Sequence, residues 1–207
     1  MGAGCFSSRG ETDARYVGRG RPSARLVGNA VHLEGERCRV RPWRETDGDS
    51  LVEHANNINV AKNLRDRFPH PYTRKNARDF LKFAASLEDQ SNLAIEVDGA
   101  AVGAIGYVPG HDVERFSAEI GYWLGEAYWG RGIVTEALVL TTEYAFGRLN
   151  LLRLFALPFA DNVASARVLE KAGYIREGLL RASSVKYGRP KDQLLYARVN
   201  DAWRLPG

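Results

Sequence analysis

Residues 118–137 read AEIGYWLGEAYWGRGIVTEA, a strand-like run followed by a glycine turn and the start of a helix. Gly130 and Gly132 have no Cβ atom, so the backbone of the turn can approach a ligand closely. The helix that follows begins with unpaired N–H groups and the positive end of its dipole. This order predicts a cradle for a diphosphate group. Two glycines before a helix are also compatible with a plain tight turn, so the prediction depends on the rest of the chain.

Hydrophobic periodicity on both sides of this stretch predicts strands and helices in the order βααβββαβαββ. The dipeptide Asp98-Gly99 joins two strand-like runs into a hairpin, and Gly173 ends the last helix. The predicted elements are a strand at 37–43, a helix opening at 45–47 with Leu51, Ala55 and Ile58 on its inner face, a helix at about 74–87, strands at 93–97, 101–108 and 116–124, a helix at about 134–149, a strand at 151–157, a helix at 162–172, and strands within 174–185 and 193–199.

Length, composition and charge predict one domain behind a basic leader. The 207 residues, 44% of them hydrophobic, are enough to bury a single core. Residues 1–44 carry nine arginines against four acidic residues, a net charge of +5, which leaves −1 for residues 45–207. Residues 1–30 lack apolar periodicity and are interpreted as a flexible basic leader, with a single domain at 31–207. Because the basic charge lies in the leader, we expect no specific nucleic-acid binding.

The sequence offers neither a metal site nor a membrane segment. Cys5 and Cys38 are the only cysteines, and the four histidines have no ligand spacing. No apolar run reaches the roughly 18 residues that span a bilayer, and the N-terminus has no signal-peptide pattern. We therefore expect a soluble, cytoplasmic protein that binds no metal and no membrane.

The glycine turn is one of several motifs with a fixed order and spacing. AEIGY at 118–122 leads into WGRG at 129–132 and TEA at 135–137. Further along are Asn162, Ser165, Glu170-Lys171, Gly173-Tyr174 and the closing strand DQLLYA at 192–197. These motifs resemble those of the GNAT acetyltransferases, in the branch that includes the ribosomal-protein N-terminal (alanine or serine) acetyltransferases. The resemblance covers about residues 37–199 and implies an α/β (α+β) GNAT fold, with a central mixed twisted sheet flanked by helices.

The resemblance also implies acetyl-coenzyme A (acetyl-CoA) as acyl donor, with no metal. The pyrophosphate would lie on amides from about Gly130 to Thr135, with Arg131 adding positive charge, and the pantetheine arm beside the strand ending at Leu124. The implied cofactor-binding residues are Leu124, Trp129, Gly130, Arg131, Gly132, Ile133, Val134, Thr135 and Asn162. Asn162 either only caps its helix or also bonds the pantetheine arm. Val134 departs from the broad family pattern, which prefers Gly or Ala there, and crowds the turn slightly.

Two residues in the matching motifs are candidate catalysts. A Glu at the position of Glu119 often deprotonates the incoming amine in this family; structural hydrogen bonding or substrate anchoring is the alternative, because a carboxylate beside apolar residues needs a partner or a task. Ser165 either caps its helix or assists the departing thiolate, since the Tyr that often serves as acid in this family is replaced by Leu169. Glu136 is interpreted as a residue that complements the helix dipole rather than as a catalyst.

The acceptor amine has no readable motif. We expect direct transfer from acetyl-CoA to a primary amine in a ternary complex, by a monomer or a homodimer. A protein N-terminal α-amine is the leading choice, because its pKa of about 8 is lower than the value of about 10.4 for lysine. A small-molecule amine, such as a polyamine or an aminoglycoside, is the enzymatic alternative. A catalytically inactive CoA-binding sensor module is the alternative from another class.

Overall fold

A computed structural model describes residues 23–27, 30–87 and 90–205, which form one nine-stranded sheet with helices on both faces. The strands are β1 Ser23–Val27, β2 Ala30–Glu34, β3 Arg39–Arg41, β4 Asn92–Val97, β5 Ala100–Pro109, β6 Ser117–Leu124, β7 Arg153–Ala156, β8 Ile175–Lys186 and β9 Arg189–Val199. The α-helices are α1 Gly48–Ala55, α2 Ile58–Ala61, α3 Arg74–Ala85, α4 Ile133–Arg148 and α5 Val163–Lys171. Single 3₁₀ turns lie at Glu45–Asp47, Asp112–Glu114 and Glu126–Tyr128.

The strands are ordered β1-β2-β3-β4-β5-β6-β7-β9-β8 across the sheet, and within the described residues only β6 and β7 pair in parallel. The crossover between these two strands contains α4, as a parallel connection requires. Their pairing ends at Glu119 and Phe155, although β6 continues to Leu124. The two strands therefore separate in the middle of the sheet, which leaves one edge of β6 facing an open cleft.

Two clusters of buried side chains hold the helices on opposite faces of the sheet. The larger cluster packs α4 and α5 on the sheet and includes Ile120, Leu138 and Leu169. The smaller cluster is built around Leu51 and its neighbours in α1 and α3, with Trp123 of β6 packed against it. Alternate side chains of β6 thus face opposite layers, as the geometry of a strand requires. Each fully buried Leu or Ile contributes about 1.5–3 kcal/mol to stability.

A buried ion cluster anchors the start of the first helical segment to the sheet. The guanidinium group of Arg41, on β3, is completely buried and donates to both carboxylate oxygens of Asp47 at 2.7 and 2.9 Å. It also donates to Glu96 of β4. Every charge in this cluster has a partner, which a buried charge requires.

The predicted mixed sheet and most predicted elements are confirmed, with two corrections. The hairpin between β4 and β5 turns at Asp98 and Gly99, both with positive φ as this turn type needs. Ile58 was expected on the inner face of the first helix, but α1 ends at Ala55 and Ile58 starts the separate α2, where it is about half exposed. The break occurs because Asn57 leaves helical geometry and its side chain accepts the Asn59 N–H.

The N-terminal boundary needs the second correction. The predicted order lacks β1 and β2, and residues 1–30 were interpreted as a flexible leader, yet Ser23–Val27 pairs antiparallel with β2. Short strands beside Arg-rich sequence show too little apolar alternation to be recognised. The remainder of the proposed leader, residues 1–22 and 28–29, lies outside the described residues, and its flexibility stays a prediction.

Candidate functional site

The cleft between the separated strands has a volume of about 690 Å³. One wall is β6 from Glu119 to Leu124, and the other is the segment at 156–159 that follows β7 together with one face of α5. The first turn of α4 closes one end. The segment at 59–66 around the end of α2, and residues 183–186 of β8, border the other end. The cleft is therefore a channel along β6 with a helix N-terminus at one end.

The glycine turn has the backbone that the sequence predicted for an anion cradle. Gly130 and Gly132 have φ values of 74° and 77°, a left-handed conformation that only glycine adopts at little cost. A Cβ atom on Gly130 would meet nothing within 4 Å, so the space in front of this residue is open. The indole N–H of Trp129 donates to the carbonyl of Leu124 at 2.8 Å, which ties the turn to the end of β6. These residues fit a diphosphate group.

The cations around the turn differ from the predicted one. Arg131 is not among the described residues that line the cleft, because its guanidinium group lies over the ring of Tyr128, 5.2 Å from the centroid. Arg37 lies beside Gly132 instead, and Arg167 and Lys171 line the cleft from α5. Arg167 and Lys171 have a helical spacing that places them on one face of α5, and this spacing could have been recognised from the sequence. Nothing in the sequence pointed to Arg37.

Glu119 lies in the cleft at the point where β6 and β7 separate. Its carboxylate is partly exposed and forms an ion pair with Arg65, from the segment that follows α2. The partner that a carboxylate beside apolar residues needs is therefore present, and the Arg65 side chain is 60% exposed. No motif pointed to Arg65, which is 54 positions away.

Ser165 faces the cleft from α5 and contacts the opposite wall. Its hydroxyl oxygen lies 2.9 Å from the hydroxyl oxygen of Tyr122 on β6. The cap of α5 is Asn162, whose side chain accepts the N–H of Ser165 at 3.2 Å. The Ser165 hydroxyl is thus not the helix cap. Burial raises the pKa of Tyr122, so its hydroxyl stays protonated and can donate. Tyr122 was not recognised as part of the site from the sequence.

Glu136 has a structural role, as the sequence indicated. Its partners include backbone N–H groups of another segment in addition to the helix dipole. Its carboxylate accepts the backbone N–H groups of Glu36, Arg37 and Cys38 at 3.1, 2.7 and 3.0 Å. This carboxylate fixes the segment before β3 against the start of α4. Burial and the neighbouring Glu136 raise the pKa of the Cys38 thiol, which therefore is not a nucleophile.

The family model for the acetyltransferase (GNAT) domain matches residues 37–175. The chain belongs to the GNAT acetyltransferase family. The acetyltransferase is 31% identical over 171 residues to the uncharacterized N-acetyltransferase p20 of Bacillus licheniformis, an alignment that covers 80% of this chain and 94% of the relative. The resemblance noted in the sequence, and the enzyme class and fold that it implied, are confirmed.

Other relatives of this acetyltransferase act on different kinds of amine, according to their names. The ribosomal-protein-serine acetyltransferase of Escherichia coli is 36% identical over 87 residues, 42% of this chain and 48% of the relative. The spermidine N(1)-acetyltransferase of Escherichia coli is 28% identical over 144 residues, 69% of this chain and 75% of the relative. A solved ribosomal L7/L12 α-N-protein acetyltransferase in complex with coenzyme A has the same fold, with a TM-score of 0.73, 21% identity, and coverage of 81% of this chain and 97% of that one.

All the site residues predicted from the sequence, apart from Arg131, line the cleft of the acetyltransferase. They are Glu119, Leu124, Trp129, Gly130, Gly132, Ile133, Val134, Thr135, Asn162 and Ser165. In the described residues, no group of three or more His, Cys, Asp or Glu side chains could hold a metal ion. Over the same part of the chain, no helix combines the length and the apolar character needed to cross a membrane.

Proposed function

We propose that this enzyme transfers the acetyl group of acetyl-CoA to a primary amine, with a protein N-terminal α-amine as the acceptor, in the cytoplasm. The observation that carries the proposal is the arrangement along β6. The glycine turn, the Tyr122–Ser165 hydroxyl pair and Glu119 line one continuous cleft in that order. A donor held by its diphosphate at the turn would extend toward an acceptor held near Glu119.

The donor end of the cleft has the chemistry that a coenzyme A diphosphate requires. The turn and the first turn of α4 present backbone N–H groups at the positive end of a helix dipole. Arg167 and Lys171 add positive charge from α5. The free edge of β6 beyond Glu119 offers backbone groups to the amide-rich pantetheine arm, and Asn162 lies on the opposite wall. The complex of the structural relative with coenzyme A supports this assignment.

Each reacting group of the transfer has a residue of the chain beside it. The amine nitrogen forms a bond to the thioester carbonyl carbon, the carbon–sulfur bond breaks, and the amine proton passes to Glu119, through water if the two do not touch. The Ser165 hydroxyl donates a hydrogen bond to the departing thiolate and accepts one from the hydroxyl of Tyr122, so both hydroxyls keep their protons and the thiolate takes its proton from solvent. The positive end of α5 favours the thiolate as well. No covalent enzyme intermediate is needed.

The ion pair between Arg65 and Glu119 is compatible with this role. A partly exposed pair of this kind contributes about 1 kcal/mol or less, so an entering acceptor can displace Arg65 from the carboxylate. Holding both reactants in one channel supplies much of the rate advantage, because the reaction becomes effectively unimolecular. An α-amine with a pKa of about 8 needs only a weak base to lose its proton near neutral pH.

Release of free thiol from acetyl-CoA tests the proposal directly. The panel contains peptides with free N-termini, the same peptides with a blocked N-terminus and one lysine, spermidine and an aminoglycoside. We expect turnover with the free N-termini and little with the blocked peptides. Preferred turnover of spermidine or the aminoglycoside would show a small-molecule enzyme instead. Binding of acetyl-CoA without turnover of any acceptor would identify a sensor module.

A further inference from the structure

A second cavity of about 560 Å³ opens beside the acceptor end of the cleft. We call it the basic side cavity, and it is lined by Lys62, Asn63, Asp161, Lys186, Tyr187, Arg189 and Lys191. Asn63 and Lys186 line the main cleft as well, so the two spaces share a wall. When an acceptor places its amine near Glu119, the chemical groups that follow the amine can therefore reach this cavity.

The charges in the basic side cavity are strongly unbalanced. Four cationic side chains line it against the single carboxylate of Asp161, which is already paired with Lys191. Lys186 is only 4% exposed, and its carboxylate partner is the largely exposed Asp66, 2.8 Å away. Two cations are left over, Lys62 and Arg189. Within the described residues, neither has a carboxylate within 4 Å, and Lys62 donates instead to the side-chain oxygen of Asn59.

The carboxylates at the acceptor end of the cleft are all engaged. Glu119 is paired with Arg65, and Asp66 is paired with Lys186. A polycationic acceptor would have to break both pairs and would then face Lys62 and Arg189. An acceptor with a negative group beyond its amine would leave the Asp66 pair intact and would find two cations without carboxylate partners. The charge pattern thus favours an anionic acceptor.

We propose that the basic side cavity binds an acidic side chain within the first few residues of the acceptor peptide, through Lys62 and Arg189. This inference rests on the proposed function and adds a substrate class to it: protein N-termini followed closely by Asp or Glu. An extended peptide advances about 3.3 Å per residue, so a side chain only a few positions after the α-amine spans the distance between neighbouring cavities. Lys62 and Arg189 are both exposed, so each such contact is worth no more than an ordinary surface ion pair.

Peptides that differ only in charge test the proposal. Three hexapeptides share their first residue and carry Glu, Gln or Lys at positions two to five. Thiol release gives kcat/KM for each. We expect the Glu peptide to exceed the Gln peptide by about 1.5- to five-fold for each ion pair formed, the usual value of exposed pairs. The Lys peptide should be the poorest, and the differences should shrink at high salt.

Two substitutions link this preference to the cavity. In Lys62→Gln/Arg189→Gln the advantage of the Glu peptide should vanish, while kcat/KM for the Gln peptide and the affinity for acetyl-CoA stay unchanged. Arg181→Gln is the matched control, because Arg181 is exposed on β8 and does not line either cavity. Loss of acetyl-CoA affinity in the double variant would mean that the cavity serves the donor, and the proposal would be wrong. Persistence of the Glu preference in the double variant would also overturn it.

Binding measurements separate this proposal from the proposed function. Calorimetry with the acetylated Glu and Gln peptides, which are products of the reaction, measures peptide binding to the cavity without any turnover. Tighter binding of the acetylated Glu peptide, lost in the double variant, would support the cavity even if no peptide were acetylated. A small amine that carries a phosphate group is tested as an additional acceptor. If it is acetylated in a Lys62- and Arg189-dependent way and the peptides are not, then the acidic-peptide assignment fails.

Discussion

The hydroxyl oxygens of Tyr122 and Ser165 lie 2.9 Å apart across the cleft, one on β6 and the other on α5. Tyr122 is surrounded by the larger core cluster, and burial holds its pKa above the usual range. It is therefore a neutral donor at any physiological pH. The pair can donate a hydrogen bond to the leaving thiolate while both hydroxyls stay neutral.

Removing either hydroxyl should slow the reaction without weakening donor binding. Ser165→Ala should lower kcat less than loss of the base would, because the positive end of α5 still favours the thiolate. Tyr122→Phe should lower kcat by about ten-fold or less, because Ser165 keeps its hydroxyl and loses only the hydrogen bond donated by Tyr122. Both losses should shrink with an acyl donor whose thiol is a better leaving group. Steady-state kinetics with two donors measures this.

Tyr174→Phe is the matched control for this pair, because the Tyr174 hydroxyl is bonded to Thr142 inside the core at 2.8 Å. It should leave the dependence on the leaving group unchanged. Equal behaviour of Tyr122→Phe and Tyr174→Phe would show that Tyr122 only supports the packing.

The buried cluster around Arg41 predicts how stability depends on pH. Burial alone would raise the pKa of Glu96, but the hydrogen bond and charge of Arg41, with Arg44 and Arg39 nearby, lower it overall. A depressed folded-state pKa contributes stability that is complete above the ordinary value of about 4.3 and is lost as the pH falls through the lower one. Urea midpoints should therefore decline below that ordinary pKa.

Glu96→Gln should remove this part of the pH dependence and lower stability near neutral pH by about 3–5 kcal/mol, because Arg41 would stay buried with one counterion fewer. Glu53→Gln, at an exposed position of α1, is the control and should change neither property. Equal urea midpoints for Glu96→Gln and the parent enzyme at pH 7 would contradict the structural role given to this cluster.

Chains shortened at the N-terminus test the corrected boundary. A chain that starts at Ser23 should keep its melting temperature. A chain that starts at Ala30 loses β1 and turns β2, with its buried Val31 and Leu33, into the sheet edge. Its melting temperature should drop by roughly 2–4 °C for each kcal/mol lost. No drop would restore the boundary at residue 30 that the sequence favoured.

The sequence predicted the local backbone features of the candidate site that lie within one continuous segment. The glycine turn, the start of α4 and the cap of α5 depend on local backbone geometry and helix ends, which short motifs encode. The partners Arg65 of Glu119 and Tyr122 of Ser165 could not be predicted, because they are 54 and 43 positions away. Periodicity shows which face of an element is buried, but it does not show which side chains meet across a cleft.

Arg131 shows the same limit for a residue that lies inside a recognised motif. Its position in the turn was correct, but the direction of its side chain depends on Tyr128, whose ring it covers. Motif spacing indicates that a Cα atom lies near a ligand, but the neighbouring residues determine the rotamer of its side chain. For the same reason β1 was missed: five residues with little alternation become a strand because β2 offers a pairing edge.

The glycine turn is tested by Gly132→Ala. A side chain here is strained because φ is 77°, so the substitution should lower stability by about 1–2 kcal/mol as well as weakening acetyl-CoA binding. The new Cβ would also lie 3.4 Å from the guanidinium Nε of Arg37. Gly99→Ala is the matched control, since φ is 85° and the hairpin turn is open and far from the cleft lining. Both variants should lose similar stability, and only Gly132→Ala should lose affinity in calorimetric titration.

The strongest test of the mechanism is Glu119→Gln, which keeps the shape of the side chain and removes the base. We expect kcat to fall by roughly one hundred- to ten thousand-fold, the usual contribution of a positioned proton acceptor, with little change in acetyl-CoA affinity. The remaining rate should rise with pH as the amine, with a pKa of about 8, loses its proton in solution. The parent enzyme should level off at lower pH, because its base accepts the proton in the cleft. Arg65→Gln separates the two roles of the carboxylate: it removes the partner of Glu119 and keeps the base, so the shape of the pH profile should be retained. If Glu119→Gln keeps nearly full kcat near neutral pH with a proven acceptor, the carboxylate serves only its ion pair with Arg65, and the amine loses its proton to solvent or to another group of the cleft.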